Sequence, residues 1–270
     1  MRHVVYLLFL TIFIVGCATS PTGRKQLMLI SPENAIVQSK TAYLSTVEEL
    51  DEQKKLVKDP KVVKRIQTIT GRLITEAVKK YPNTQNWEWS VAIIDDPETL
   101  NAWCMAGGRM AIYTGIINKL NLNDDEIAQI MGHEISHALA NHTAERMSRA
   151  MAINLGIGAV GVATDNDAIT LTGAALAAKL ALELPNSRTA ETEADEVGIE
   201  LATRAGYAPE AAVSLWQKME KAGGSGPMEF LSTHPAPDNR QKRLGQLAPR
   251  MKLLNPGAQK SAVYPVTIVR

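Results

Sequence analysis

One run constrains this 270-residue chain more than any other: His133-Glu134-Ile135-Ser136-His137, two histidines four positions apart around a glutamate. A helix turns by about 100° per residue, so His133 and His137 would stand about 40° apart, one turn along a single face. The flanking sequence predicts that helix. Asn123-Asp124-Asp125-Glu126 supplies a capping residue and acids for the positive end of the helix dipole. Between Glu126 and Arg146 there is no proline, and Gly132 is the only glycine. Two imidazoles so placed can chelate one Zn²⁺, each at about 2.0–2.1 Å. Glu134 falls about 100° around from His133, beside such a metal but not on it. There it can take a proton from an activated water.

A catalytic zinc needs a third protein ligand and an open position. The segment Arg188-Thr189-Ala190-Glu191-Thr192-Glu193-Ala194-Asp195 offers three acids. With Glu191 set at 0° on a helical wheel, Ala194, Asp195, Gly198, Leu201 and Ala202 all fall within about 80° of it. Glu193 falls at about 200°, on the side expected to be solvated. Glu191 is therefore the expected third ligand, and Asp195 the acceptor that fixes a ligand histidine's tautomer. His142 lies about 180° from His133 if their helix is unbroken, which leaves it an ordinary structural hydrogen bond.

Elsewhere the chain reads as α+β and mostly helical. Ser31-Pro32-Glu33 opens a helix to about Leu56, and Asp59-Pro60 opens another to Tyr81-Pro82. Trp87, Trp89, Val91 and Ile93 alternate with Glu88, Ser90 and Ala92, as in a half-buried strand. Asn101 to Met105 and Arg109 to Tyr113, around Gly107-Gly108, suggest a hairpin or an active-site strand with a glycine bend. The sheet is expected in the first half only. Residues 150–163, uncharged and rich in Ala and Gly, read as a buried helix too short to span a bilayer. A formal net charge of +1 argues against nucleic acid as a partner, since no basic excess is available to hold phosphates.

Residues 1–16 read as an export signal: Val4 to Val15 is uncharged and apolar, against the roughly 20 residues of a spanning helix. Ile14-Val15-Gly16-Cys17 resembles the bacterial lipobox, which implies a lipid on Cys17 and membrane attachment through it. Ala18 in place of Asp implies, on the same resemblance, the periplasmic face of the outer membrane. Residues 17–30 would be a tether, 31–250 the folded domain and 251–270 a tail. Cys104 is then the one remaining thiol, and is expected buried and inert.

His133-Glu134-x-x-His137 followed by Glu191-x-Glu193-Ala194-Asp195-x-x-Gly198 resembles the M48 family of zinc metallopeptidases, in particular its short bacterial lipoprotein members. Asn101-Ala102-Trp103 to Gly107-Gly108, Tyr113-Thr114-Gly115, and Ser232-Thr233-His234-Pro235 with Arg240 extend the resemblance over roughly residues 60–245. It implies a gluzincin-type fold, one zinc on His133, His137 and Glu191, and Glu134 as catalytic base. It also implies an edge strand that binds the substrate backbone, assigned to Gly108, Arg109, Met110, Ala111, Ile112 and Tyr113. The expected activity is cleavage of unfolded or misassembled cell-envelope proteins, alongside envelope assembly machinery or other proteases. The rival is a non-proteolytic assembly factor or chaperone with a latent zinc site.

His234 sits in the Pro-rich run Thr233-His234-Pro235-Ala236-Pro237, expected as an extended loop. Some family members carry such a histidine on the zinc as a resting-state plug. Help to the transition state and a plain loop role stay open beside it. Arg240 is left between an oxyanion partner and an ion pair with Asp238 or Asp195.

Overall fold

The computed structural model describes residues 17–164, 168–178, 184–223, 229–234 and 239–269. The expected signal, residues 1–16, lies outside them, as do Pro235, Pro237 and Asp238. Two short strands come first, β1 (Cys17–Thr19) and β2 (Lys25–Leu27), then helices α1 (Pro32–Glu52) and α2 (Pro60–Lys80). Strands β3 (Ser90–Ile94), β4 (Ala102–Met105) and β5 (Arg109–Tyr113) lead into the short α3 (Thr114–Lys119). Then follow α4 (Asp124–Leu139), α5 (His142–Ala163), α6 (Ala168–Ala178), α7 (Leu184–Arg204) and α8 (Ala211–Gly223). Last come α9 (Glu229–Thr233), α10 (Arg240–Lys252) and β6 (Thr267–Val269).

The sheet has the order β4-β5-β3-β6, with β3 parallel to both its neighbours and β4 antiparallel to β5. Alternate residues of a strand face opposite ways, and here both faces are covered. Val91 and Ile93 join the main core with α2 and α4, whereas Ala92 and Ile94 pack with Tyr43 and Val47 of α1. The half-buried strand expected at Trp87–Ile93 is thus a fully buried central strand beginning at Ser90. Helix α1 stops at Glu52 rather than Leu56, because Leu56 bridges to Ile94.

Three expectations about organisation are corrected. The sheet is not confined to the first half: Thr267–Val269, within the expected tail, pairs with Ser90–Ala92, and Val266 is buried. Residues 17–30 are no loose tether. Strands β1 and β2 form an antiparallel hairpin, and Gln26 reaches from it to donate to the Ala140 carbonyl at 2.8 Å. Residues 150–163 are helical, but Met151, Leu155 and Val162 are exposed.

The proposed edge strand also moves. Gly107 and Gly108, at φ +84° and +79°, turn the chain in a backbone region that glycine tolerates, and this confirms the hairpin. But β3 occupies the far side of β5, so Arg109, Met110, Ala111, Ile112 and Tyr113, following Gly108, have partners on both sides. Among the described residues the edge strands are β4 and β6, and β4 is the one that lines the cleft beside Glu134.

Helix α4 runs against α7 at very close range. A Cβ on Gly132 would stand 2.9 Å from the Gly198 carbonyl oxygen, and one on Gly198 would stand 2.8 Å from the His133 nitrogen. Both obstacles are backbone, so no rotamer change relieves them. Gly198→Ala should therefore cost about 1–3 kcal/mol in urea unfolding. Gly245→Ala, at a helical glycine of α10 with open space around it, should be neutral or stabilising by up to about 1 kcal/mol. Equal effects of the two would contradict this packing.

Candidate metal centre

The site begins with the cap of α4. The Asn123 side chain accepts from the Glu126 N–H at 2.9 Å, and Glu126 accepts from the Asn123 N–H at 3.0 Å. Two and a half turns on, the helix presents His133 and His137 with their Nε2 atoms 3.1 Å apart. From α7, Glu191 places Oε2 3.2 Å from His133 Nε2 and Oε1 3.4 Å from His137 Nε2. His234 brings Nδ1 to 3.1 Å from Glu191 Oε1 and 3.4 Å from His133 Nε2. One ligand atom from each of these four residues lies within 4.8 Å of all the others.

These residues fit zinc. Glu191 Oε2 is buried with no hydrogen bond, and the imidazole nitrogens beside it converge as lone-pair donors. Nitrogen and carboxylate ligands at such spacing suit a tetrahedral zinc site. Burial opposes ionisation of Glu191, yet the adjacent His133, His234 and His137 hold the carboxyl well below the usual range. Burial opposes charge on His133 too, but its hydrogen bond to Asp195 and the nearby Glu191 carboxylate raise it to about 9.

Asp195 occupies the place the wheel assigned it. His133 Nδ1–H donates to Asp195 Oδ1 at 3.1 Å, which leaves Nε2 free to face the cluster. Asp195 also accepts from Arg240, and from Arg243 Nη2 at 2.6 Å. Burial would raise the Asp195 carboxyl, and the charge of Arg240 overrides it to hold the group low. Arg240 lies 3.6 Å over the Trp216 ring, and its Nη1 stands 3.5 Å from Glu191 Oε2. Of the roles weighed for it, the ion pair with Asp195 is the one the geometry supports.

Glu134 lines the cleft itself, a space of about 260 Å³ bounded by His137, Glu191, His234 and the β4 residues Ala102, Trp103 and Cys104. Burial pushes the Glu134 carboxyl up despite the nearby histidines. His234 Nε2 stands 3.4 Å from Glu134 Oε1. His234 is not in an extended loop: its N–H bonds to the Phe230 carbonyl at 2.9 Å, closing α9, and its ring stacks on Phe230. Burial raises the Cys104 thiol, in keeping with an inert residue.

Two residues were misplaced by the wheel. Asn141 takes a left-handed conformation, φ 55° and ψ 29°, which ends α4 and restarts the chain as α5 at His142. Asparagine tolerates that conformation better than most residues, so its position before His142 was the available signal. The break swings His142 Nδ1 to 2.9 Å from His137 Nδ1, and its Nε2 to 3.1 Å from Glu193 Oε2. Glu193, expected in solvent, is 3 % exposed, because the β1–β2 hairpin covers that face of α7.

Removing the Asp195 carboxylate would take from the buried Arg240 its closest ion-pair partner and leave it only the longer contact with Glu191. Asp195→Ala should cost about 3–5 kcal/mol in denaturant unfolding. A loss below about 1 kcal/mol, typical of exposed pairs, would contradict the buried arrangement.

Comparison with known proteins places this geometry. The metalloendopeptidase OMA1 of Bos taurus mitochondria is 30% identical over 257 residues, 90% of this chain and 48% of the relative. The mitochondrial metalloendopeptidase OMA1 of Saccharomyces cerevisiae is 35% identical over 193 residues, 66% of this chain and 53% of its own. The β-barrel assembly-enhancing protease of Escherichia coli is 27% identical over 207 residues, covering 72% and 41%. The chain thus spans about half the length of the relatives it matches. These mitochondrial relatives overturn the outer-membrane location expected from Ala18, an inference that rested on one residue after the lipobox. Peptidase family M48 matches residues 60–248, a span holding both zinc-type motifs and the helices that carry them, and this chain belongs to that family.

Proposed function

We propose that the chain is a zinc-dependent endopeptidase acting on unfolded or misassembled proteins. The observation that carries this reading is the Glu134 carboxylate, set in the cleft beside three converging ligands and within reach of a free strand edge. His133, His137 and Glu191 would hold the metal. Zinc, when bound, supplies Lewis acidity toward a water and the scissile carbonyl.

The remaining work falls to the chain. Strand β4 offers unpaired main-chain groups on which an extended peptide can pair, with little demand on its side chains. Glu134 accepts the proton of the attacking water and returns it to the departing amide nitrogen. Its burial favours that exchange, because a carboxylate kept from water is a stronger base. Asp195 holds the His133 ring in orientation throughout.

His234 acts as a resting-state plug in this reading. Its Nδ1 sits among the ligand atoms and its Nε2 faces Glu134, so in place it fills the position where water and substrate would meet. The Escherichia coli relative is named a β-barrel assembly-enhancing protease, which supports proteins undergoing assembly as substrates and assembly machinery as a partner. Lipid attachment at Cys17 rests on Ile14-Val15-Gly16-Cys17 alone. Among the described residues no helix is long and apolar enough to cross a membrane.

A β-casein digestion tests the activity. The chain should cleave it, chelation should abolish cleavage and added zinc restore it. Glu134→Gln should lower the rate by about 10²–10⁴-fold with zinc retained. No cleavage, or equal cleavage by Glu134→Gln, would reject the peptidase in favour of the assembly factor. His234→Ala should raise cleavage; a fall would reject the plug.

A further inference from the structure

His133 and His137 are supported in different ways. His133 leans directly on a carboxylate, Asp195. Among the described residues, the partner of His137 Nδ1 is not a carboxylate but a second imidazole, His142, at 2.9 Å. Two neutral imidazole nitrogens at that distance must divide their roles, one donating and one accepting.

The far side of His142 decides which. Its Nε2 lies 3.1 Å from Glu193 Oε2. Glu193 accepts from Thr22 Oγ1 at 2.8 Å, from the Thr22 N–H at 3.3 Å and from Arg24 Nε at 3.1 Å. A carboxylate ringed by donors has only acceptor capacity to offer, so His142 carries its proton on Nε2. His142 Nδ1 is then a lone pair, and His137 must donate Nδ1–H to it. That leaves the His137 Nε2 lone pair facing Glu191 and His133, the form a metal requires.

We propose that Arg24, Glu193 and His142 form an orienting relay that fixes the tautomer and ring position of His137, so that the N-terminal hairpin is part of the zinc site. The inference rests on the reading of His137 as a metal ligand. It also gives a task to residues outside the family match at 60–248. Arg24 joins the relay to a second buried acid: Nη1 and Nη2 each donate to Glu145 at 2.7 Å. Gln26 donates to Glu145 and to the Ala140 carbonyl, both at 2.8 Å, and so ties the hairpin to the break between α4 and α5. The turn at Asn141 that carries His142 toward His137 is held from outside by these bonds.

The test is zinc affinity, read by competition with a chromophoric chelator, beside thermal unfolding of the metal-free protein. His142→Leu should weaken zinc binding by about 10–100-fold. His142→Gln should recover most of that loss, since its amide oxygen can accept from His137 Nδ1–H while its NH₂ donates to Glu193. Arg24→Ala, remote from the metal, should weaken zinc binding by a smaller factor. It also carries the test where His142→Leu does not fold. Unchanged zinc affinity in the folded variants, whatever their unfolding temperature, would overturn the relay. A chain that binds no zinc at all would overturn both the relay and the site it serves.

Discussion

The close approach of α4 and α7 is the constraint on which the site depends. Gly132 and Gly198 let two helix backbones meet almost without side chains between them, and His133 follows Gly132 directly. That contact sets Glu191 and Asp195 of one helix against the histidines of the other. At ordinary helix separations of about 8–10 Å, these short acids would not bring their oxygens among the imidazoles. The core around the contact is continuous with the buried central strand, so the site sits on rigid elements.

Charge is gathered at this contact in a way that makes sense only as a whole. Glu134, Glu191, Glu193 and Asp195 are all buried, and isolated carboxylates there would be costly. Asp195 is balanced by Arg240 and Arg243, and Glu193 by Arg24, with His142 Nε2 at hydrogen-bond distance. Glu191 keeps an oxygen without a hydrogen bond, and Glu134 keeps one facing the cleft. The two balanced acids stand at hydrogen-bond distance from histidines, and the two with spare oxygens line the cleft. In the proposed function this division separates positioning from reaction.

The motifs were legible because helical geometry is local. The spacing of His133 and His137, the cap at Asn123, and the inward direction of Glu191 and Asp195 all follow from periodicity, and the structure brings those residues together. What periodicity cannot carry is a break or a partner far away in sequence. Asn141 alone moved His142 from the far side of a helix to the back of a candidate ligand. Glu193 looked solvated because the residues covering it, Thr22 and Arg24, lie about 170 positions earlier. The edge strand was misassigned for a related reason. That β5 is flanked and β4 exposed depends on strand order, which alternation along one strand does not encode.

The central claim is that this chain gathers His133, His137 and Glu191 around a single zinc. Anomalous difference density at the zinc absorption edge, from crystals of the zinc-loaded protein, tests it most directly. The account predicts one strong peak among His133 Nε2, His137 Nε2 and the Glu191 carboxylate, at bonding distances of about 2.0–2.2 Å. A principal peak elsewhere, or none among these three residues at saturating zinc, would contradict it.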